Sequence, residues 1–179
     1  VNHHEVLTRM LLEGATEQEA FAFFDQLEPI EVNAMFGLWR GKEIRTGHPL
    51  DGLLEGTGWF GKRFEDQEHV HPLVFARPDQ TLYYLDPSFV PLELPIERIP
   101  ERYFSLGVKL LELVASTTKS KARLRLLDYR GKASASMVYD TKPIIDVFRK
   151  IDQDTLLGVM DMKQTKHKQA YFFSLERVR

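Results

Sequence analysis

The chain has 179 residues, 43% of them apolar and 28% charged, with a net charge of −2 and no cysteine. That balance is globular rather than disordered or fibrous, and a domain of this length buries roughly 70% of its extended surface, so a full core is available without staples. The missing cysteines exclude a disulfide framework, a thiolate metal site and a cysteine nucleophile, and make a cytoplasmic setting the default expectation. The apolar runs are a few residues long, against the roughly 20 that a bilayer crossing needs, and no signal-type segment opens the chain, so no membrane span is expected. Basic residues are scattered, and the densest stretch, Lys119, Lys121, Arg123 and Arg125, has no aromatic residues between them. It reads as a solvated strand, and no nucleic-acid partner is expected.

In chain order, residues 4–13 read as a first helix. Thr16 and Glu19 form a capping box, in which hydroxyl and carboxylate satisfy each other's orphan amides, so a second helix is predicted over about 17–28. Ala20, Phe23, Phe24 and Leu27 recur at helical spacing behind it, and Pro29 marks the exit. Residues 37–45, 70–77 and 81–86 read as strands, the last two joined by a tight turn at Pro78, Asp79 and Gln80. Four prolines between Pro87 and Pro100 make that stretch an extended connector. After Pro100 a helix is predicted that flanks or plugs the sheet, with Tyr103, Leu106, Leu110, Leu113 and Val114 on one face.

The C-terminal third is an antiparallel meander. Ala133, Ala135, Met137 and Tyr139 alternate with the other face of one strand. A two-residue turn at Arg130-Gly131 then pairs Tyr129 with Lys132, Leu126 with Ala135, Leu124 with Met137 and Ala122 with Tyr139, so the apolar faces coincide. The same count over 144–151 and 156–162, with a loop at 152–155, pairs Ile151 with Leu156, Val147 with Met160 and Ile145 with Met162. It turns Arg149 inward beside Gly158. A last strand over 170–177 points Tyr171, Phe173 and Leu175 inward. The expectation is one α+β, mainly β domain over 1–179, in which about eight short strands curl into an antiparallel barrel to remove their edges, with N-terminal helices and one inserted helix.

Gly37-Leu38-Trp39-Arg40-Gly41 is a Gly-x-Trp-x-Gly motif at a strand start. With 48–55, the run from Gly58 and Trp59 through Lys62 and Arg63 to Phe64, and the later segments 139–146 and 148–152, it resembles the GXWXG protein family. That family pairs such a motif region, here about 20–80, with a C-terminal domain of unknown function, here about 118–178. The pentapeptide is also similar to the first strand of calycin-type barrels: lipocalins, fatty-acid-binding proteins and nitrobindins. That resemblance implies a tryptophan packed across a barrel floor with a basic residue of the last strand, Arg177 or Arg179, stacked on it. The plainer reading of Trp39 is core.

An inward Arg149 needs an anion, either an internal carboxylate such as Asp161 or the acidic head of a ligand. Small inward residues, Ala133, Ala135 and Gly158, leave room beside Met137 and Met160. Together these suggest binding of a small hydrophobic or amphipathic acid, such as a fatty acid or phospholipid. Trp39, Trp59, Lys62, Arg63, His71, Met137, Tyr139, Arg149 and Met160 are the candidate contacts. An enzyme acting on a small hydrophobic substrate is the alternative, with His48 or His71 as proton shuttle and Asp51 as orienting partner. His69 and His71 have a metal-ligand spacing, but capping by His48 and Asp51 is the simpler reading, and no metal is assigned. A haem barrel would need an axial histidine late in the chain; His167 precedes the last strand, and no cofactor is assigned. No nucleophile elbow or phosphate loop is present, and a homodimer is left open.

Overall fold

The computed structural model describes residues 2–90, 104–163 and 169–179, with side chains at 104–106 left aside. Two helices lead, α1 (His3–Glu13) and α2 (Glu17–Gln26), and the predicted capping box is in place: the Thr16 hydroxyl accepts from the Glu19 amide while the Glu19 carboxylate accepts from the Thr16 amide. The strands are β1 (Glu28–Pro29), β2 (Gly37–Ile44), β3 (Trp59–Phe64), β4 (Val70–Ala76), β5 (Leu82–Tyr84), β6 (Ala122–Tyr129), β7 (Lys132–Tyr139), β8 (Ile144–Lys150), β9 (Thr155–Met162) and β10 (Tyr171–Arg177). A short helix α3 (Leu53–Gly56) precedes β3, and α4 (Phe104–Ala115) precedes β6. No described helix is long and apolar enough to cross a membrane.

All the strand pairings are antiparallel, and they run β8-β7-β6-β4-β3-β2-β10-β9, with β9 pairing back onto β8. The pairing order therefore returns on itself, with β1 and β5 hung on its outside. The weakest join is β4 to β6, a single bridge between Val70 and Ala122.

Two cores result. The inner faces carry Trp39, Trp59, Phe64, Phe148, Met137, Leu175 and their neighbours. The outer faces of β2, β8, β9 and β10 bury Ile44, Val147, Val159 and Phe172 under Leu7, Met10, Phe23 and Phe24 of α1 and α2.

The β6–β7 register is the predicted one, with Tyr129 opposite Lys132 and Ala122 opposite Tyr139. Arg130 and Gly131 both take positive φ, 52° and 76°, as a two-residue hairpin turn of this hand requires. The β8–β9 register differs from the prediction by one residue: the loop falls at 151–154, Phe148 faces Gly158, and Arg149 faces Leu157. Because side chains alternate, that slip moves Arg149 to the outer core and brings Asp146 inside. The strand β3 is absent from the sequence prediction. A bulge at Gly61 turns both Trp59 and Lys62 inward, so the residues do not alternate in the sequence.

The inward glycines are seats rather than space. A Cβ on Gly41 would lie 2.1 Å from the Trp59 ring, and one on Gly158 would lie 2.5 Å from the Phe173 ring. Ala133, near the hairpin turn, is exposed. On α4 the predicted apolar face is turned outward: Leu110, Leu113 and Val114 are exposed, Leu113 by 82%, while Leu111 packs on the inner core. Tyr103, most of the proline-rich connector and His167 lie outside the described residues.

Gly61 sits at φ 152°, and a Cβ there would fall 1.9 Å from the Trp39 carbonyl oxygen, which cannot move without breaking the β2–β3 ladder. Gly61→Ala should therefore cost about 3 kcal/mol or more in urea unfolding. Gly41→Ala should cost about 1–3 kcal/mol, with part recovered in the double variant with Trp59→Phe.

Candidate functional site

An apolar cavity of about 80 Å3 opens inside the strand ring. Leu50, Leu53 and Leu54, in and before α3, line it together with Leu73, Pro87 and Val90. Deeper in, Trp59 and Lys62 of β3, Tyr139 of β7, Ile144 and Asp146 of β8, Met160 of β9 and Tyr171 and Phe173 of β10 complete the wall, and half-buried Lys142 also borders it, its Nζ donating to the Val90 carbonyl at 3.1 Å.

The fully buried charges of that wall form one cluster. Lys62, 3% exposed, places Nζ 2.8 Å from Oδ2 of Asp146, which is 1% exposed. The ammonium also donates to the Pro72 carbonyl at 3.3 Å. Three rings box it, with centroids at 5.0 Å for Phe173, 5.8 Å for Tyr139 and 5.9 Å for Trp59. The Tyr139 side chain neighbours the Asp146 carboxylate and favours its charged form. Counted either way round the ring, β3 and β8 are four pairings apart, so this ion pair crosses the interior from wall to wall. The Phe64 and Phe148 rings, from the same two strands, meet edge-on at 5.8 Å beside it.

Burial raises the Asp146 carboxyl despite Lys62 and Tyr139, which oppose the shift. Burial and the adjacent carboxylate push the Tyr139 phenol well above its ordinary value. Two atoms of this wall are buried with no hydrogen-bond partner among the described residues, Oδ1 of Asp146 and Nε1 of Trp59: one acceptor and one donor.

A second buried pair holds the cavity's leucines. Glu43 of β2 accepts the amides of Leu54 at 3.3 Å and Glu55 at 2.8 Å, capping α3, and also accepts from the Tyr171 hydroxyl. Burial raises its carboxyl, against the three hydrogen bonds, which lower it.

Of the residues singled out by sequence, Trp59, Lys62, Tyr139 and Met160 meet at the cavity. Met137 is buried in the same core without lining the cavity, and Trp39 is fully buried, its indole donating to the Met35 carbonyl at 2.7 Å. The predicted basic partner of that ring is Arg177, whose guanidinium stands 4.1 Å from the ring centroid and donates to the Phe36 and Ala34 carbonyls. Arg63 and His71 face each other across β3 and β4, away from the lining. His71 stacks on Tyr84 at 4.0 Å with Glu65 at 3.5 Å, and Arg63 reaches the Tyr84 hydroxyl. Burial lowers the His71 imidazole, with Glu65 opposing.

Arg149, 1% exposed, lies in the outer core instead of the interior, over the Phe24 ring at 5.0 Å. Its Nη2 donates to the carbonyls of Tyr129 and Lys132, while Nε and Nη1 are buried without a hydrogen-bond partner among the described residues, so the anion expected for it is not met there. Asp51 caps its own loop, accepting the amides of Thr46, Gly47 and His48 at 2.8–3.0 Å, and the His48 ring packs on Tyr171. Neither residue, nor His71, lines the cavity. Asp146 was passed over in the sequence, although a lone carboxylate inside Ile144-Ile145-Asp146-Val147-Phe148 is the mark of a buried charge awaiting a partner.

A model of the GXWXG protein family matches residues 22–79, and one of a domain of unknown function (DUF4334) matches residues 120–177. Among solved structures, a protein from Thermomonospora curvata superposes with a TM-score of 0.72 at 29% identity, covering 100% of both chains. No functionally curated protein matches the chain.

Two outcomes follow. Lys62→Met strands the Asp146 carboxylate and should cost about 3–5 kcal/mol in urea unfolding, most of it regained in the Lys62→Met/Asp146→Leu double variant. Glu43 has a raised folded-state carboxyl, so the native state holds its proton more tightly than the unfolded chain, and this group's contribution weakens as pH climbs. Glu43→Gln should therefore gain stability relative to the parent as pH rises from the ordinary glutamic acid value of 4.5, seen as a pH-dependent difference in melting temperature.

Proposed function

The chain belongs to the GXWXG protein family with its C-terminal domain of unknown function, and from its cavity we propose that it binds a small, neutral, mainly apolar molecule bearing one polar group. In this reading the strand ring works as a closed calycin-like barrel, with the ligand's apolar part among Leu54, Leu73 and Met160 and its polar group at Lys62, Asp146 and Tyr139.

The observation that carries it is the pairing of an apolar cavity with two unpartnered buried atoms in its wall, Asp146 Oδ1 and Trp59 Nε1. Buried polar groups ordinarily find partners, and a hydroxyl or carbonyl compound supplies what these lack. An acidic head is less suited, because Lys62 is already neutralised by Asp146 and a second anion would lie against that carboxylate. Size points the same way. The volume of about 80 Å3 is well below the roughly 150 Å3 of an engineered cavity that admits benzene, so a fatty acid would have to displace the half-buried leucines of the α3 region.

Methionine methyl NMR tests this without a folding ambiguity, since Met160 lines the cavity and Met10 sits in the outer core. Titration with butan-2-ol should shift the Met160 methyl saturably and leave Met10 in place. Butyrate should move neither, and Leu54→Phe should abolish the response. Equal response of both methyls, or a preference for butyrate, would overturn the reading.

A further inference from the structure

The inner wall holds more than binding requires: a primary amine, removed from water, with a carboxylate in contact and an apolar space in front of it. We propose that Lys62 condenses through Nζ with a small apolar aldehyde or ketone admitted to the cavity, forming an imine for which Asp146 is both proton carrier and counter-ion. The inference rests on the binding reading above and narrows its ligand class to carbonyl compounds.

Three features of the geometry carry it. An amine must shed its proton to act as a nucleophile, and a base in contact with it can take that proton. Lys62 has its proton acceptor within 2.8 Å, and transfer turns an ion pair into two neutral groups in a space poor in other polar atoms. The carboxylate meets Lys62 through Oδ2 alone, while Oδ1 has no partner, so the second oxygen is available to a hydroxyl formed on the ligand. Finally, the boxing rings of Trp59, Tyr139 and Phe173 restrict the amine to one place and suit a cation, which the protonated imine is.

The steps balance within this cluster. The Lys62 ammonium gives a proton to Asp146, and the freed lone pair forms the N–C bond as the carbonyl π pair moves onto oxygen. A proton passes from nitrogen to that oxygen, giving a neutral carbinolamine whose hydroxyl can donate to Oδ1. Asp146 then returns its proton to the hydroxyl, the C–O bond breaks with loss of water, and the nitrogen pair closes the C=N bond. The product is a protonated imine facing the regenerated carboxylate. Burial raises the Asp146 carboxyl, which favours its part as acceptor in the first transfer.

Reductive trapping tests the proposal on the unmodified protein. With butanal and cyanoborohydride at neutral pH, peptide mapping should find butylation of Lys62 at least about tenfold faster than of exposed Lys42 or Lys109, although Lys62 is among the least accessible lysines. Butan-2-ol should protect Lys62 and leave exposed Lys42 and Lys109 at their rates, and labelling of Lys142, the other lysine of the lining, in place of Lys62 would overturn the choice of amine. Asp146→Asn should slow labelling at Lys62 while the exposed lysines, as internal controls, keep their rates. Label confined to the exposed lysines, with the Met160 methyl still responding to butan-2-ol, would overturn the imine and leave the binding reading standing. Loss of both signals would overturn both. Labelling of Lys62 that Asp146→Asn leaves unchanged would remove Asp146 from the step.

Discussion

An ion pair closed off from water inside a ring of strands sets the terms for the rest of this molecule. Two opposite charges a few ångströms apart cost more to desolvate than a hydrophobic pair of the same size unless every remaining lone pair and proton finds company. Here Nζ of Lys62 has the Pro72 carbonyl and three aromatic rings besides its carboxylate, while Oδ1 of Asp146 has no hydrogen-bond partner among the described residues. Building that box dictates local sequence. The Trp59 ring can lie over β2 only because position 41 has no side chain, and the Phe173 ring over β9 only because position 158 has none. The bulge at Gly61 then brings Lys62 onto the same inner face as Trp59. On this view the second glycine of the Gly-x-Trp-x-Gly motif serves Trp59 as a seat, and the motif's own tryptophan, Trp39, is buried against the Arg177 guanidinium.

How much of this could be read from the chain depended on what covers each strand. In the β6–β7 hairpin the outer face of β6 is open, and on β7 small serines at 134 and 136 alternate with Ala135 and Met137 although they too are buried, so polar and apolar residues still alternate, and turn chemistry and pattern give one register. The β8–β9 hairpin is covered on both sides, by the interior on one and by α1 and α2 on the other, and nearly every residue from Ile144 to Arg149 is buried. A strand buried on both faces carries no alternation, so the register rested on loop placement alone and came out one residue adrift. The candidate site suffered in proportion. Trp59, Lys62, Tyr139 and Met160 meet at one cavity, whereas Arg149, the cation expected at its centre, lies in the outer core and Asp146 takes the inward place. The strand β3 was hidden for a related reason, since its bulge breaks the period that marks a strand.

The two buried cations show what separates a structural charge from a chemical one. Arg149 donates through Nη2 alone to two carbonyls of the β6–β7 turn region and lies on the face of Phe24, tying the second helix to the hairpin. Lys132 and Arg130 add to that tie, reaching the carbonyls of Asp25 and Leu27 and the Asp25 carboxylate at the end of α2. None of these groups fronts the interior cavity. Arg149 also keeps its proton under any ordinary condition, because a guanidinium is too basic to give it up. Lys62 is the opposite in each respect: it fronts a cavity, its partner is a carboxylate able to take a proton, and its amine becomes a nucleophile once the proton leaves.

Stability alone does not account for the Lys62–Asp146 pair. The same two strands meet across the same interior through Phe64 and Phe148, which join the walls with apolar atoms and need no box, no bulge and no glycine seat. Had cross-ring cohesion been the requirement, a second aromatic or aliphatic pair at 62 and 146 would supply it at no desolvation cost. A charged pair in that place, with one carboxylate oxygen unpartnered and an apolar space before it, is the arrangement that the proposed imine would use.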